Sequence, residues 1–424
     1  MQKNDKIPVM TDSITALRYR DFRIYIGTRF FFTFAYQMQT VIIGFYIYHL
    51  TKSVFLLGLF GLFEAIPAIT IALYGGYIAD KSEKRKMLLC IYMAILFCSI
   101  IMFSVTLTGV SIYVSRAGVI RIIFFLIFCN GIARAFLGPA NFTIYADSLP
   151  KEAYANGNSW NSTARQAGSI LGPAAGGIVY GYFGITAALG LIVLFILIAL
   201  VIASFLKKFP PVFTPKDNLW KSLAEGIQFV FRNKMMLGAM SLDLFSVFFG
   251  GFVALLPVFA NDILKVGPQG LGIMRAASSA GAILVMLLMT KYSLMNRPWR
   301  NLLLAITGFG LSIVCFGFSK NFYLSLFLLF ASGGFDSINM LIRGTIMQLL
   351  TPDAMRGRVS AVTSMFIDSS NEIGDFESGT LAGFIGTVPT VILGGCMTLT
   401  VVIITYCKTK KYIPFSLEDI HPKI

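Results

Sequence analysis

The chain has 424 residues, 56% of them hydrophobic and 13% charged, against roughly 45–50% and about 25% in an ordinary soluble domain. With a mean hydropathy of +0.75 it lacks the polar surface that a string of soluble domains would need, so the composition indicates an integral membrane protein. The net charge of +15 sits in short basic clusters between apolar runs, which excludes a nucleic-acid partner and records membrane topology instead.

Residues 1–21 are polar, carry Lys3, Lys6, Arg18 and Arg20, and lack the apolar core and cleavage site of a signal peptide. Beyond them the sequence predicts an all-α fold of twelve spans, near 22–48, 54–80, 87–108, 119–147, 156–182, 185–206, 236–262, 268–291, 300–319, 322–350, 358–386 and 388–406. The longest connection, 207–234, holds Pro210, Pro211 and Pro215 and then an amphipathic run, Leu219 to Phe231, suited to the membrane surface. It separates a six-helix half at 22–206 from a second at 235–407, followed by a tail at 408–424. Counting Lys and Arg by side gives 25 on the side of the termini and 5 opposite, which places both termini in the cytoplasm.

The halves repeat weakly at an offset of 202: Thr143-Ile144 recurs as Thr345-Ile346, Pro150 as Pro352, Gly172 as Gly374, Gly177 as Gly379 and Gly184 as Gly386. An even number of spans separates the copies, so both run in the same direction.

Between spans two and three the chain reads Gly76-Tyr77-Ile78-Ala79-Asp80-Lys81-Ser82-Glu83-Lys84-Arg85-Lys86. This resembles the signature loop of the major facilitator superfamily, whose fold is two parallel six-helix halves with the site near the midplane. Gly76 would let a neighbouring helix approach, Asp80 would accept from the positive end of a facing helix, and Arg85 belongs to the basic cluster. The resemblance implies a conformational latch against the eleventh span; a plain positive-inside anchor is the alternative. Glu83 replaces the usual Gly and is expected to loosen the turn. In span five, Gly168, Gly172, Pro173, Gly176 and Gly177 are similar to the motif of the antiporter branch, with Ser159 where an earlier Gly is usual; small-residue helix packing is the bland reading.

Residues 131–140 and 370–379 narrow the resemblance to the bacterial exporters grouped with the enterobactin and macrolide efflux proteins. That implies export of a small amphipathic compound, a siderophore or a drug, by proton antiport in the inner membrane. Import of a nutrient, lipid translocation and hard-cation transport are the alternatives.

Ionisable residues inside spans are costly and therefore candidates for function. In span eleven Asp368, Glu372 and Asp375 lie at i, i+4 and i+7 on one face. Three carboxylates in a low dielectric cannot all stay ionised, so a shared, exchangeable proton is expected, the more so because few bases are evident nearby. Arg29, Gln37, Glu64, Arg134, Arg165, Asp243, Asp336 and Arg343 are candidates for the cavity and substrate, as the alternative to ion pairs that fix helix register. Arg134 and Asp336 are equivalent under the 202 offset and are expected to meet across the cavity. Only His49 and His421 are histidines, and the six Cys form no paired spacing, so no metal site, cofactor or catalytic apparatus is expected and the chain is not read as an enzyme. The partners expected are a small-molecule substrate, protons and the lipid bilayer, with the chain acting as a monomer.

Overall fold

In a computed structural model, residues 15–107, 115–150, 153–209, 219–289, 297–352 and 356–410 are described, except for the side chains of 72–77, 79–81, 155, 219–223, 348, 356–358, 360–361, 364–365 and 368–369. The chain is a helical bundle. In order the helices are α1 (Arg20–Thr51), α2 (Val54–Lys81), α3 (Lys84–Val105), α4 (Arg116–Ser148), α5 (Tyr154–Ser204), α6 (Leu219–Arg232), α7 (Lys234–Phe249), α8 (Gly267–Met289), α9 (Pro298–Phe318), α10 (Phe322–Leu350), α11 (Arg356–Ile385) and α12 (Thr387–Thr409).

Ten stretches among the described residues are long and apolar enough to cross a membrane. One of them, Asn156–Ser204, has 49 residues. At about 1.5 Å per residue it would be roughly twice as long as a ~30 Å bilayer core requires. It is two crossings that turn at Gly184, where φ is +81°, and its repeat partner Gly386 stands at +90° ahead of α12. A side chain is disfavoured at both positions, so the same backbone corner ends the fifth and the eleventh crossing. Helix α11 is long enough but too charged to join the ten, and it completes twelve crossings in two six-helix halves.

The start points follow local chemistry. Ser53, Glu83, Ser115, Asn233 and Asn321 cap α2, α3, α4, α7 and α10 by accepting from first-turn N–H groups. Glu83 departs from expectation. Its carboxylate takes the N–H of Arg85 at 3.0 Å, of Lys86 at 3.1 Å and of Phe209 at 3.2 Å, so it fastens the turn that it was expected to loosen.

Inside each half, helices pack as α1 on α5, α2 on α4, α8 on α10 and α9 on α12. Lipid is as apolar as the helix surfaces, so close backbone approach rather than water exclusion holds them together. Gly168, Gly172 and Gly176 supply it: a Cβ on any of them would collide with Phe34, Met38 or their neighbours on α1. The halves meet through α2 with α11 and α5 with α8. At each junction two glycines face each other: a Cβ on Gly58 would lie 2.9 Å from Gly379 Cα, and one on Gly272 2.9 Å from Gly177 Cα. Gly177 and Gly379 are repeat partners. Both junctions lie toward the face opposite the termini.

Candidate functional site

A cavity of about 450 Å³ lies between the halves, lined from α1, α2, α4 and α5 on one side and α8, α11 and the stretch after α7 on the other. That volume suits a small molecule. The seventh crossing, expected as one helix over 236–262, is broken. α7 ends at Phe249, capped by Gly250, and the chain continues through short helical turns to Ile263. The Gly250-Gly251 pair permits the break, because Gly251 lies against the backbone of Gly374 on α11. The result is a backbone that lines the cavity: Val253 carbonyl accepts from Arg275 Nη2 at 3.4 Å, and the Ala254 backbone lies within electrostatic reach of Asp375. Irregular backbone is tolerable at membrane depth where it faces such a space.

At mid-depth Arg134 of α4 joins the halves. Its Nη1 contacts Glu64 Oε1 of α2 at 2.8 Å and Glu372 Oε1 of α11 at 3.0 Å. Tyr36 hydroxyl donates to the same Glu64 oxygen, which fixes that carboxylate in its own half. One turn further along α11, Asp375 lies within electrostatic reach of Arg275. The acids of α11 are therefore not short of bases, as expected from sequence; each of these two has an arginine supplied by another helix. Asp368, the third member of the stripe, has its side chain outside the described residues.

Arg29, Gln37, Glu64, Arg134, Arg165, Glu372 and Asp375 all line this cavity, and Gln37 Nε2 donates to Ser169 Oγ at 3.4 Å. Three other candidates do not. Asp243 pairs with Arg343 and accepts from Asn339 Nδ2 at 2.7 Å, all buried inside the second half. Asp336 is exposed and outside the cavity lining, so the expected meeting with Arg134 is replaced by the bridge to Glu64 and Glu372. The side chains of the latch residues Gly76 and Asp80 lie outside the described ones, while Arg85 donates to the carbonyl of Ser204 in its own half.

At the face opposite the termini, Asp262 accepts from Tyr48 hydroxyl, and Lys52 Nζ lies 3.7 Å from the same carboxylate. This second bridge joins the end of α1 to the end of the broken crossing. Among the described residues, no group of three or more His, Cys, Asp or Glu is placed to hold a metal ion.

The sequence profile described as Major Facilitator Superfamily matches residues 25–374. The chain belongs to the Major Facilitator Superfamily. As a major facilitator protein it is a multi-pass membrane transporter of small molecules, not an enzyme. It is 24% identical over 375 residues to an enterobactin exporter, EntS, of Shigella boydii serotype 4 (strain Sb227), covering 88% of this chain and 86% of the relative. In fold it is similar to the nucleoside transporter NupG, with a TM-score of 0.68 at 14% identity over 92% of this chain and 99% of that one. A POT family transporter solved with 5-aminolevulinic acid gives a TM-score of 0.70 at 11% identity over 93% and 96%.

Two features of this major facilitator site were missed from sequence. The broken seventh crossing was signalled by Gly250-Gly251 and Pro257, three helix-disfavouring residues within eight positions. The bridge of Arg134 to Glu372 has no local signal, because its partners are 238 residues apart.

Proposed function

We propose that this major facilitator is a proton-coupled exporter of the inner membrane, carrying a small amphipathic compound such as a siderophore or drug by alternating access. The observation that carries the reading is the position of Glu372, which among the described residues alone supplies the second half's end of the Arg134 bridge. A proton on Glu372 removes the charge that Arg134 holds across the interface and frees the halves to separate. Asp375, and Asp368 with it, are the other carboxylates assigned to proton transfer. Arg29, Gln37, Arg134 and Arg165 are assigned to the substrate path. The conformation described is assigned as open toward the termini. The excess of Lys and Arg on that side makes it cytoplasmic.

The similarity to an enterobactin exporter and the glycine pattern of α5 support export over import. The reading is tested in bacteria lacking or overproducing the chain by measuring secreted siderophore and susceptibility to macrolides, with and without a protonophore. Overproduction is expected to raise secretion or resistance only while the proton gradient stands. Unchanged secretion and susceptibility in both strains would reject export, and export that persists in protonophore would reject proton coupling.

A further inference from the structure

The charges of the cavity are sorted by wall. Its carboxylates, Glu64, Glu372 and Asp375, come from α2 and α11, and they face Arg134 and Arg275. The α1 and α5 wall presents Arg29, Thr33, Gln37, Arg165 and Ser169, with no carboxylate.

Arg29 and Arg165 stand at one level. α1 and α5 run in the same direction in tight contact, and Tyr25 hydroxyl donates to Asn161 Oδ1 at 3.4 Å. One helical turn on from that pair, on both helices, come Arg29 and Arg165. Just beyond them, a Cβ on Gly168 would lie 3.0 Å from Phe34 N and 3.1 Å from Phe30 O, so the two backbones are in close contact there. The wall thus carries two arginines at one level, both lining the cavity at membrane depth.

Arg29 has no carboxylate partner among the described residues, and its Nε is buried without a hydrogen bond. The phenols of Tyr25 and Tyr92 lie within electrostatic reach of it. A guanidinium cannot shed its proton to escape burial, and a charge at this depth is costly unless an opposite charge meets it. Arg29 lines the cavity, from which such a charge can reach it.

We propose that the α1 and α5 wall, at Arg29 and Arg165, docks an anionic group of the transported amphiphile, a carboxylate, sulfonate or phosphate. The planar, forked donors of arginine suit oxyanions of this kind. This rests on the export reading and narrows its substrate class from amphipathic to anionic. The pair lies on the terminal side of the Arg134 bridge, so a substrate entering from the cytoplasm meets the arginines before Glu372 and Asp375.

Binding of 2-naphthoate, of the neutral 2-naphthamide and of the cationic 2-naphthylmethylammonium is measured by calorimetry on the purified chain in phosphatidylcholine nanodiscs, with no gradient present. The naphthoate is expected to bind at least about tenfold more tightly than either analogue. Arg29→Gln should abolish that preference and Arg29→Lys should retain part of it, at unchanged melting temperature. Should Arg29→Gln not fold, the wild-type ratio between the probes is the deciding number. Equal or tighter binding of the amide or the ammonium probe, or no binding of any probe, would overturn the proposal. Repeating the titration in phosphatidylglycerol nanodiscs identifies the source of the anion. Loss of naphthoate binding there means that a lipid headgroup fills the same anion site, and retained binding means a free anion fills it. Because binding is read without a gradient, its failure leaves gradient-driven export standing, and a failure of export leaves the binding result readable.

Discussion

Replacing Glu372 by Gln mimics its protonated state and removes one of the two ion pairs of Arg134. The lost contact is 3.0 Å long and joins the halves directly. Two full charges at that distance attract by about 5.5 kcal/mol in an effective dielectric of ~20, and desolvation cancels much of this. The net worth of a hydrogen bond to a charged group, about 1.5–3 kcal/mol, is the better measure, and it corresponds to roughly a 10- to 150-fold change in an equilibrium constant. Glu372→Gln is therefore expected to shift the balance by that factor toward conformers in which the face opposite the termini has parted. Glu64→Gln is the control. Glu64 and Arg134 belong to the same half, so losing that pair leaves the joint intact and gives Arg134 wholly to Glu372, with no shift toward parting. Spin labels at Tyr182 and Phe384, which are 74% and 84% exposed on the two halves at that face, report the separation. A Glu372→Gln distance distribution that matches wild type, or an equal shift in Glu64→Gln, would refute the reasoning.

Three further outcomes follow from the packing. Asp243→Asn leaves Arg343 buried without its counter-ion and is expected to cost about 3–5 kcal/mol, whereas Asp243→Leu combined with Arg343→Met should recover most of it; melting curves in detergent measure both. Gly58→Leu puts a side chain where Gly379 Cα already stands, and is expected to hold the opposite face apart and abolish transport at normal yield; wild-type separation of the Tyr182 and Phe384 labels would contradict this. Glu83→Gly removes the cap of α3 and the tie to Phe209, with an expected loss of about 1 kcal/mol read from the same melting curves.

The crossings were legible because apolar length is a local property that a bilayer imposes directly. The turns at Gly184 and Gly386 were visible as a repeat, though only the backbone explains why glycine recurs there. Of the charged candidates, depth in the sequence marked the cavity residues Arg29, Glu64, Arg134 and Arg165, and marked Asp243 and Arg343 equally well. Depth cannot distinguish a charge that faces a cavity from one neutralised within its own half. The same limit made α11 look short of bases: Arg134 and Arg275 reach it from helices far away in sequence. Glu83 was misread because a loop motif was compared by residue type, whereas its carboxylate acts as a helix cap.

The glycine junctions at the opposite face have a consequence for how that face works. Backbone meeting backbone has no rotamers to freeze, so making or breaking these contacts carries little side-chain entropy. Close backbone packing therefore favours the shut seal at little entropic cost, and opening it takes a change of charge nearby. Among the described residues, the Tyr48, Lys52 and Asp262 cluster and the Arg134 bridge are two places where a change of charge would act across the halves. The timing of the seal can thus be tuned by altering either cluster without touching the glycine surfaces themselves.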